Sequence, residues 1–166
     1  NERMFSNCYG WILNKNDCWA SKGFMHSIIQ IEGSDIHLYN THLDAGNTIE
    51  DSNTRDKQLT ELWDYIKITS NNYPLIICGD FNYNYNNPKD SQKILDFTKS
   101  LNLKSVDFMT GSDYQVNQRE IVDYIFYRDN MKINMKPIKI NINNDLIDYS
   151  DHPPIQVKFE IKQKTN

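Results

Sequence analysis

Four segments of the chain carry side chains suited to acid–base work or to holding a cation. In Asn40-Thr41-His42-Leu43-Asp44-Ala45-Gly46, strand alternation puts Asn40 and His42 on one face with Ile36 and Leu38, and turns His37 to the opposite side, towards solvent. His42 is there a satisfied core histidine unless other polar groups converge on it. In Ile77-Cys78-Gly79-Asp80-Phe81-Asn82, a buried strand delivers Asp80 and Asn82, two residues apart, to its C-terminal end. Strand ends are where such sheets bind ligands, and a carboxylate with an amide can orient a water and hold a phosphoryl oxygen. The same two residues can also close the strand with an Asx turn.

The third segment, Ile121-Val122-Asp123-Tyr124-Ile125-Phe126-Tyr127-Arg128, sets a carboxylate in the middle of an apolar strand, on the face of Ile121 and Ile125. A carboxylate buried there is costly unless it is paired, and a histidine is its natural partner. The fourth, Tyr149-Ser150-Asp151-His152-Pro153-Pro154-Ile155, supplies one. Pro153 biases His152 towards extended backbone, and the proline pair stiffens the loop. Neighbouring side chains diverge in an extended segment, so Asp151 and His152 can address different parts of one site, such as a metal and a water. A plain rigid loop is the alternative.

The elements that must position these groups follow from periodicity. Phe24–Glu32 and Ile36–His42 read as a hairpin around a Gly33-Ser34-Asp35 turn. Asn53 caps a helix to about Ile68, with Leu59, Leu62, Trp63 and Ile66 as its apolar stripe. Leu75–Gly79 is a short central strand, and its Cys78 a buried core thiol. A second amphipathic helix runs from about Asp90 to Leu101 with Ile94, Leu95, Phe97 and Leu101, followed by strands at Ile121–Tyr127, Ile133–Ile142 and Ile155–Ile161. Hairpins with interspersed helices imply an α/β (α+β) layered sandwich with a mixed, largely antiparallel sheet. No Gly-rich phosphate loop is present.

Length and composition agree with one domain over residues 1–166: the chain is 39% hydrophobic, with ten Tyr, seven Phe and three Trp to build a core. A net charge of −4, with no long run of like sign, argues against a sequence-independent nucleic-acid coater. No apolar run approaches the roughly 18–20 residues of a membrane span, and the first residues do not form a signal peptide. Three cysteines are too few for a disulfide framework; Cys8 and Cys18 either pair across a short loop or stay free.

Each segment is weak alone, but their order and spacing together resemble the endonuclease/exonuclease/phosphatase superfamily. The resemblance lies in NTHLDAG, CGDFN, IVDYIF and SDHPPI, and extends from about Lys22 to the C-terminus. It implies the C-terminal portion of a four-layer α/β sandwich that cleaves phosphate esters with Mg²⁺ or another divalent cation such as Mn²⁺. His42 would contact the phosphate and assist the leaving group. Asp80 would bond the attacking water or leaving oxygen, and Asn82 would position phosphate and nucleophile. Asp151 would belong to the metal site. His152 would act as general base or phosphoryl donor, oriented by Asp123.

The resemblance also implies a metal-binding Glu, usually in a Gln-Glu pair, on strands that would precede everything present here. Gln118-Arg119-Glu120 directly precedes the Asp123 strand and cannot be that element. The 166 residues are therefore expected to form an incomplete domain, completed by an N-terminal half or a partner chain. Substrates in view are a phospholipid, a nucleic acid or an inositol phosphate. Ser21-Lys22-Gly23-Phe24 ahead of the hairpin looks most like the sphingomyelinase branch, with a nuclease as runner-up and an inactive binding module as the reading from another class.

Overall fold

The computed structural model describes residues 1–10, 18–106, 121–143, 150 and 152–164. Within them a six-stranded mixed sheet is built from β1 (Glu2–Met4), β2 (Gly23–Ile31), β3 (Ser34–His42), β4 (Leu75–Asp80), β5 (Lys104–Ser105) and β6 (Asp123–Arg128). Their spatial order is β1-β2-β3-β4-β6-β5. All neighbours are antiparallel except β3 and β4. That parallel pair needs a crossover, and α1 (Ile49–Thr69) provides it. A second helix, α2 (Pro88–Ser100), returns the chain from β4, and β7 (Ile133–Ile142) and β8 (Ile155–Gln163) form a separate two-stranded sheet.

Both helices cover one face of the sheet. Leu59, Leu62 and Ile66 of α1 and Ile94 and Phe97 of α2 share a core with Phe24, Tyr39, Leu75, Ile77, Tyr124 and Phe126. The β7–β8 pair covers one end of the other face, where Ile133 and Met135 meet Ile36, with Ile76, Tyr127, Phe159 and Ile161 packed around them. Further along that face Asn40 and His42 are exposed and Leu38, Cys78 and Ile125 are only partly covered. The result is a helix layer, a central sheet and a partial second sheet, the α/β sandwich expected from the alternation of elements.

Several local expectations need correction. The hairpin turn is Glu32-Gly33, both at positive φ, with Ser34 and Asp35 already in β3; a two-residue turn of this kind matches the strand twist. Helix α1 begins four residues before Asn53, because Thr48 and Asp51 form a reciprocal capping box. β6 begins at Asp123, so this carboxylate opens the strand instead of sitting in its middle. His37 does not face solvent: it is 3% exposed and lies under the helices, hydrogen-bonded to His26 and Ser70. Cys78 is not a core thiol, since its face is the partly covered one. Of the two options for the other cysteines, the structure shows the disulfide Cys8–Cys18. Among the described residues no helix is long and apolar enough to cross a membrane.

Candidate active site

Strand register assembles the site. His42 at the end of β3 is aligned with Asp80 at the end of β4, and Asp80 with Asp123 at the start of β6. Laterally paired residues point to the same face, and neighbouring strands are about 4.8 Å apart, so three functional side chains form one row across the sheet. The row lies on the face without helices. β2 extends it, because Gly23 is aligned with His42, and the preceding residue, Lys22, brings its Nζ to 2.7 Å from His42 Nε2. His152, on the segment ahead of β8, closes the other flank with Nδ1 3.0 Å from Asp123 Oδ2.

One glycine makes the row possible. Gly79 has φ +144°, and a Cβ there would lie 2.9 Å from the amide nitrogen and carbonyl carbon of Thr41, and nearer still to its carbonyl oxygen. Only glycine lets β4 approach β3 this closely immediately before Asp80. Beyond the strands, Leu43 N–H donates to Asp80 O and Phe81 N–H to Val122 O, which carries the pairing past the site residues.

The Asx turn and the functional placement of Asp80 and Asn82 coexist. Asn82 N–H donates to Asp80 Oδ1 at 2.8 Å, and Asn82 Nδ2 donates to Leu43 O at 2.9 Å. Asp80 Oδ2 remains on the cleft side, 3.4 Å from His42 Nε2. Lys22 is a pure donor, so with Lys22 in place His42 Nε2 accepts from it, and the longer Asp80 contact is a hydrogen bond only when the imidazole is protonated. At the other flank Asp123 is the acceptor, which puts a His152 proton on Nδ1. Asp123 and His152 are 23% and 27% exposed, so this pair is shielded, whereas His42 is 53% exposed.

Lys22, His42, Asp80, Asn82, Asp123 and His152 line one cleft of about 750 Å³. A roomier groove of about 970 Å³ at the other end of the sheet is lined by Asp35, Lys67, Arg128, Asp129 and Lys132 among others, but by no histidine among the described residues. Ligand atoms of Asp80, Asp123 and His152 all lie within 4.8 Å of one another, a spacing that suits a cation. Two carboxylates aligned across an antiparallel pair repel, and a divalent ion would relieve that; an oxygen-rich set with one imidazole fits Mg²⁺ or Mn²⁺. Asp151 and Gln118-Arg119-Glu120 lie outside the described residues. The sequence marks Lys22 only through the resemblance of Ser21-Lys22-Gly23-Phe24 to the sphingomyelinase branch, and not as a site residue. Its contact with His42 arises from β2–β3 register, which local sequence does not specify.

No family model matches the chain. A curated sphingomyelinase of Mycobacterium bovis is 26% identical over 167 residues, covering 87% of this chain and 32% of the relative. The chain thus spans about a third of the length of the curated relatives it matches. Among solved structures, sphingomyelinase C from Streptomyces griseocarneus superposes with a TM-score of 0.62 at 17% identity, over 99% of this chain and 63% of that one. An endonuclease/exonuclease/phosphatase protein from Beutenbergia cavernae gives 0.61 at 13% identity, over 84% and 39%. With its motif residues gathered on one sheet face, the chain shares the fold of these proteins and is similar in sequence to a sphingomyelinase over 87% of its length.

Proposed function

We propose that this chain is part of a divalent-metal-dependent phosphodiesterase whose substrate is a sphingomyelin-type phospholipid. The observation that carries the reading is the in-register row His42–Asp80–Asp123 with His152 paired to Asp123. The choice of phospholipid is supported by the curated relative's name and by Lys22, which reaches the row from the segment before β2.

Each group has a role that its placement supports. His152 Nε2 takes the proton of the attacking water, and the Asp123 carboxylate stabilises the imidazolium that forms. Asp80, with Oδ1 fixed by the Asn82 amide, turns Oδ2 towards the water or leaving oxygen. Asn82 positions the phosphate from the adjoining turn. His42, when protonated at Nε2, gives that proton to the leaving group, and Lys22 beside it draws the anionic ester to that side. A bound Mg²⁺ or Mn²⁺ would neutralise charge developing on the phosphoryl oxygens. Asp80, Asp123 and Asp151 are the carboxylates proposed to hold it, with a further Glu from polypeptide outside these 166 residues.

The test is an assay of the complete polypeptide on sphingomyelin, single- and double-stranded DNA and an inositol phosphate, with Mg²⁺ and with EDTA. Sphingomyelin cleavage abolished by EDTA is the expected result. DNA as preferred substrate would replace the phospholipid by the nuclease alternative. No turnover of any substrate would leave a binding module. Residues 1–166 alone are expected to bind Mg²⁺ weakly and turn over little, and robust hydrolysis by them would refute the proposed need for an external ligand.

A further inference from the structure

We infer that Gln58, with Arg55 one turn before it on α1, is a positioning residue for the His42 side of the site, an inference that rests on the hydrolase reading above. Gln58 is fully buried, and both ends of its amide are bound to main chain. Its Oε1 accepts from Asp44 N–H at 2.7 Å, and its Nε2 donates to Asn7 O at 2.7 Å. Arg55, also buried, donates through Nη1 to Asp44 O at 2.8 Å and Gly46 O at 3.1 Å. Its guanidinium stands 5.3 Å over the Tyr83 ring, in the loop that follows Asn82.

These bonds end on the two segments that flank His42. Asp44 and Gly46 belong to the loop leaving His42, and Leu43 in that loop accepts the Asn82 amide. Asn7 precedes Cys8, whose disulfide to Cys18 ties in the segment that ends at Lys22, the residue against His42 Nε2. One side chain therefore joins the two flanks with opposite polarity, as acceptor to one and donor to the other. Glutamine can do this; leucine offers neither group. Because the His42 side chain is half exposed, its placement depends on its contacts with Lys22 and Asp80 and on the main chain on either side. Glu61 separately anchors Ser6 and Asn7, so losing Gln58 should loosen the 43–46 loop more than the N-terminal flank.

The experiment compares wild type, Gln58→Leu, Arg55→Leu and Arg55→Lys in the complete polypeptide, with Ile66→Val as a destabilised control remote from these bonds. Steady-state kinetics on sphingomyelin should show kcat lowered about 10- to 100-fold in Gln58→Leu with KM within about 3-fold, since misplacement by about 1 Å costs up to ~10²-fold. Arg55→Lys should recover part of the loss in Arg55→Leu, and Ile66→Val should keep kcat. In parallel, NMR at one pH should show the His42 imidazole signal displaced and Asp44 amide exchange faster in Gln58→Leu, with His26 and His37 signals unmoved. A Gln58→Leu protein that melts lower but keeps the wild-type kcat and His42 signal would overturn the inference. If wild type cleaves nothing, the hydrolase reading falls, and the His42 signal alone then decides whether Gln58 positions it.

Discussion

Replacing Gly79 by alanine tests whether strand register builds the site. The new Cβ would sit 2.9 Å from two Thr41 backbone atoms and nearer to a third, against an ordinary contact of about 3.5–4.0 Å. Backbone cannot rotate away as a side-chain tip can, so β3 and β4 must part by at least about 0.6 Å by the same measure. Overpacking of this kind costs roughly 1–3 kcal/mol. Weakening two or three ladder bonds at about 1 kcal/mol each brings the total to about 4 kcal/mol, over and above the positive-φ strain that Gly33 shares. For a domain of this size that corresponds to a fall in Tm of about 8–16 °C.

Gly33 supplies the control. It also has positive φ, at +72°, but a Cβ there meets nothing within 4 Å. Gly33→Ala therefore costs only the left-handed backbone, about 1–2 kcal/mol. Thermal melts of the two variants followed by circular dichroism should differ by several degrees. Equal losses would refute the claim that the close β3–β4 approach, and with it the His42–Asp80 alignment, depends on residue 79.

Other perturbations probe the remaining parts. Asp123→Asn leaves His152 without its carboxylate; general base contributions of about 10²–10⁴ put the expected loss of kcat near 100-fold, and full recovery on raising Mg²⁺ would show Asp123 to act only through the metal. Burial holds His26 and His37 below the ordinary histidine value of 6.5; His37 and the N-terminus lower His26 further, while on His37 an opposing Asp35 is set against a lowering Arg128. The unfolded chain then takes up protons first, so their contribution is complete above about pH 6.5 and falls as pH drops through that value towards the folded ones. The urea midpoint should be lower at pH 5.5 than at 7.5, and an equal change in a His26→Gln/His37→Gln double variant would count against the pair as its source. Reduction of Cys8–Cys18, which closes a short loop, should cost about 2.5 kcal/mol by chain entropy; an unchanged Tm in dithiothreitol would speak against it.

The sequence made some of this legible and hid the rest for physical reasons. The expected bounds of β7, Ile133 and Ile142, match the structure, although its alternation slips at the irregularity between Pro137 and Lys139. The convergence of His42, Asp80, Asp123 and His152 was implied by the family resemblance of the four motifs, with only the pairing of Asp123 and His152 argued from the cost of a buried carboxylate. The orientation of His37 could not. Alternation says that His37 and His42 face opposite ways, but both sides of a central strand can be covered, and a histidine is buried readily when Ser70 and His26 satisfy it. The capping box at Thr48 and Asp51 was present in the sequence but lies in a polar first turn with no apolar stripe to announce the helix. Arg55 and Gln58 look like an ordinary solvated helix face, and only the loop folded over them shows otherwise.

The electrostatics of the row explain why folding alone would not choose these residues. Asp80 and Asp123 are laterally paired on adjacent strands, where like charges are destabilising by up to about 1 kcal/mol. Asp123 offsets this on one side through His152, and Asp80 through the Asn82 amide and, when His42 is protonated, through that ring. These contacts hold the outer edges of the carboxylate pair, and Asp80 Oδ2 faces the cleft. A neutral pair at these positions would cost the sheet less. Retaining two acids there, with bases at both ends of the row, is reasonable for a protein in which a cation is held between them, and unreasonable for one in which the sheet serves only as a scaffold.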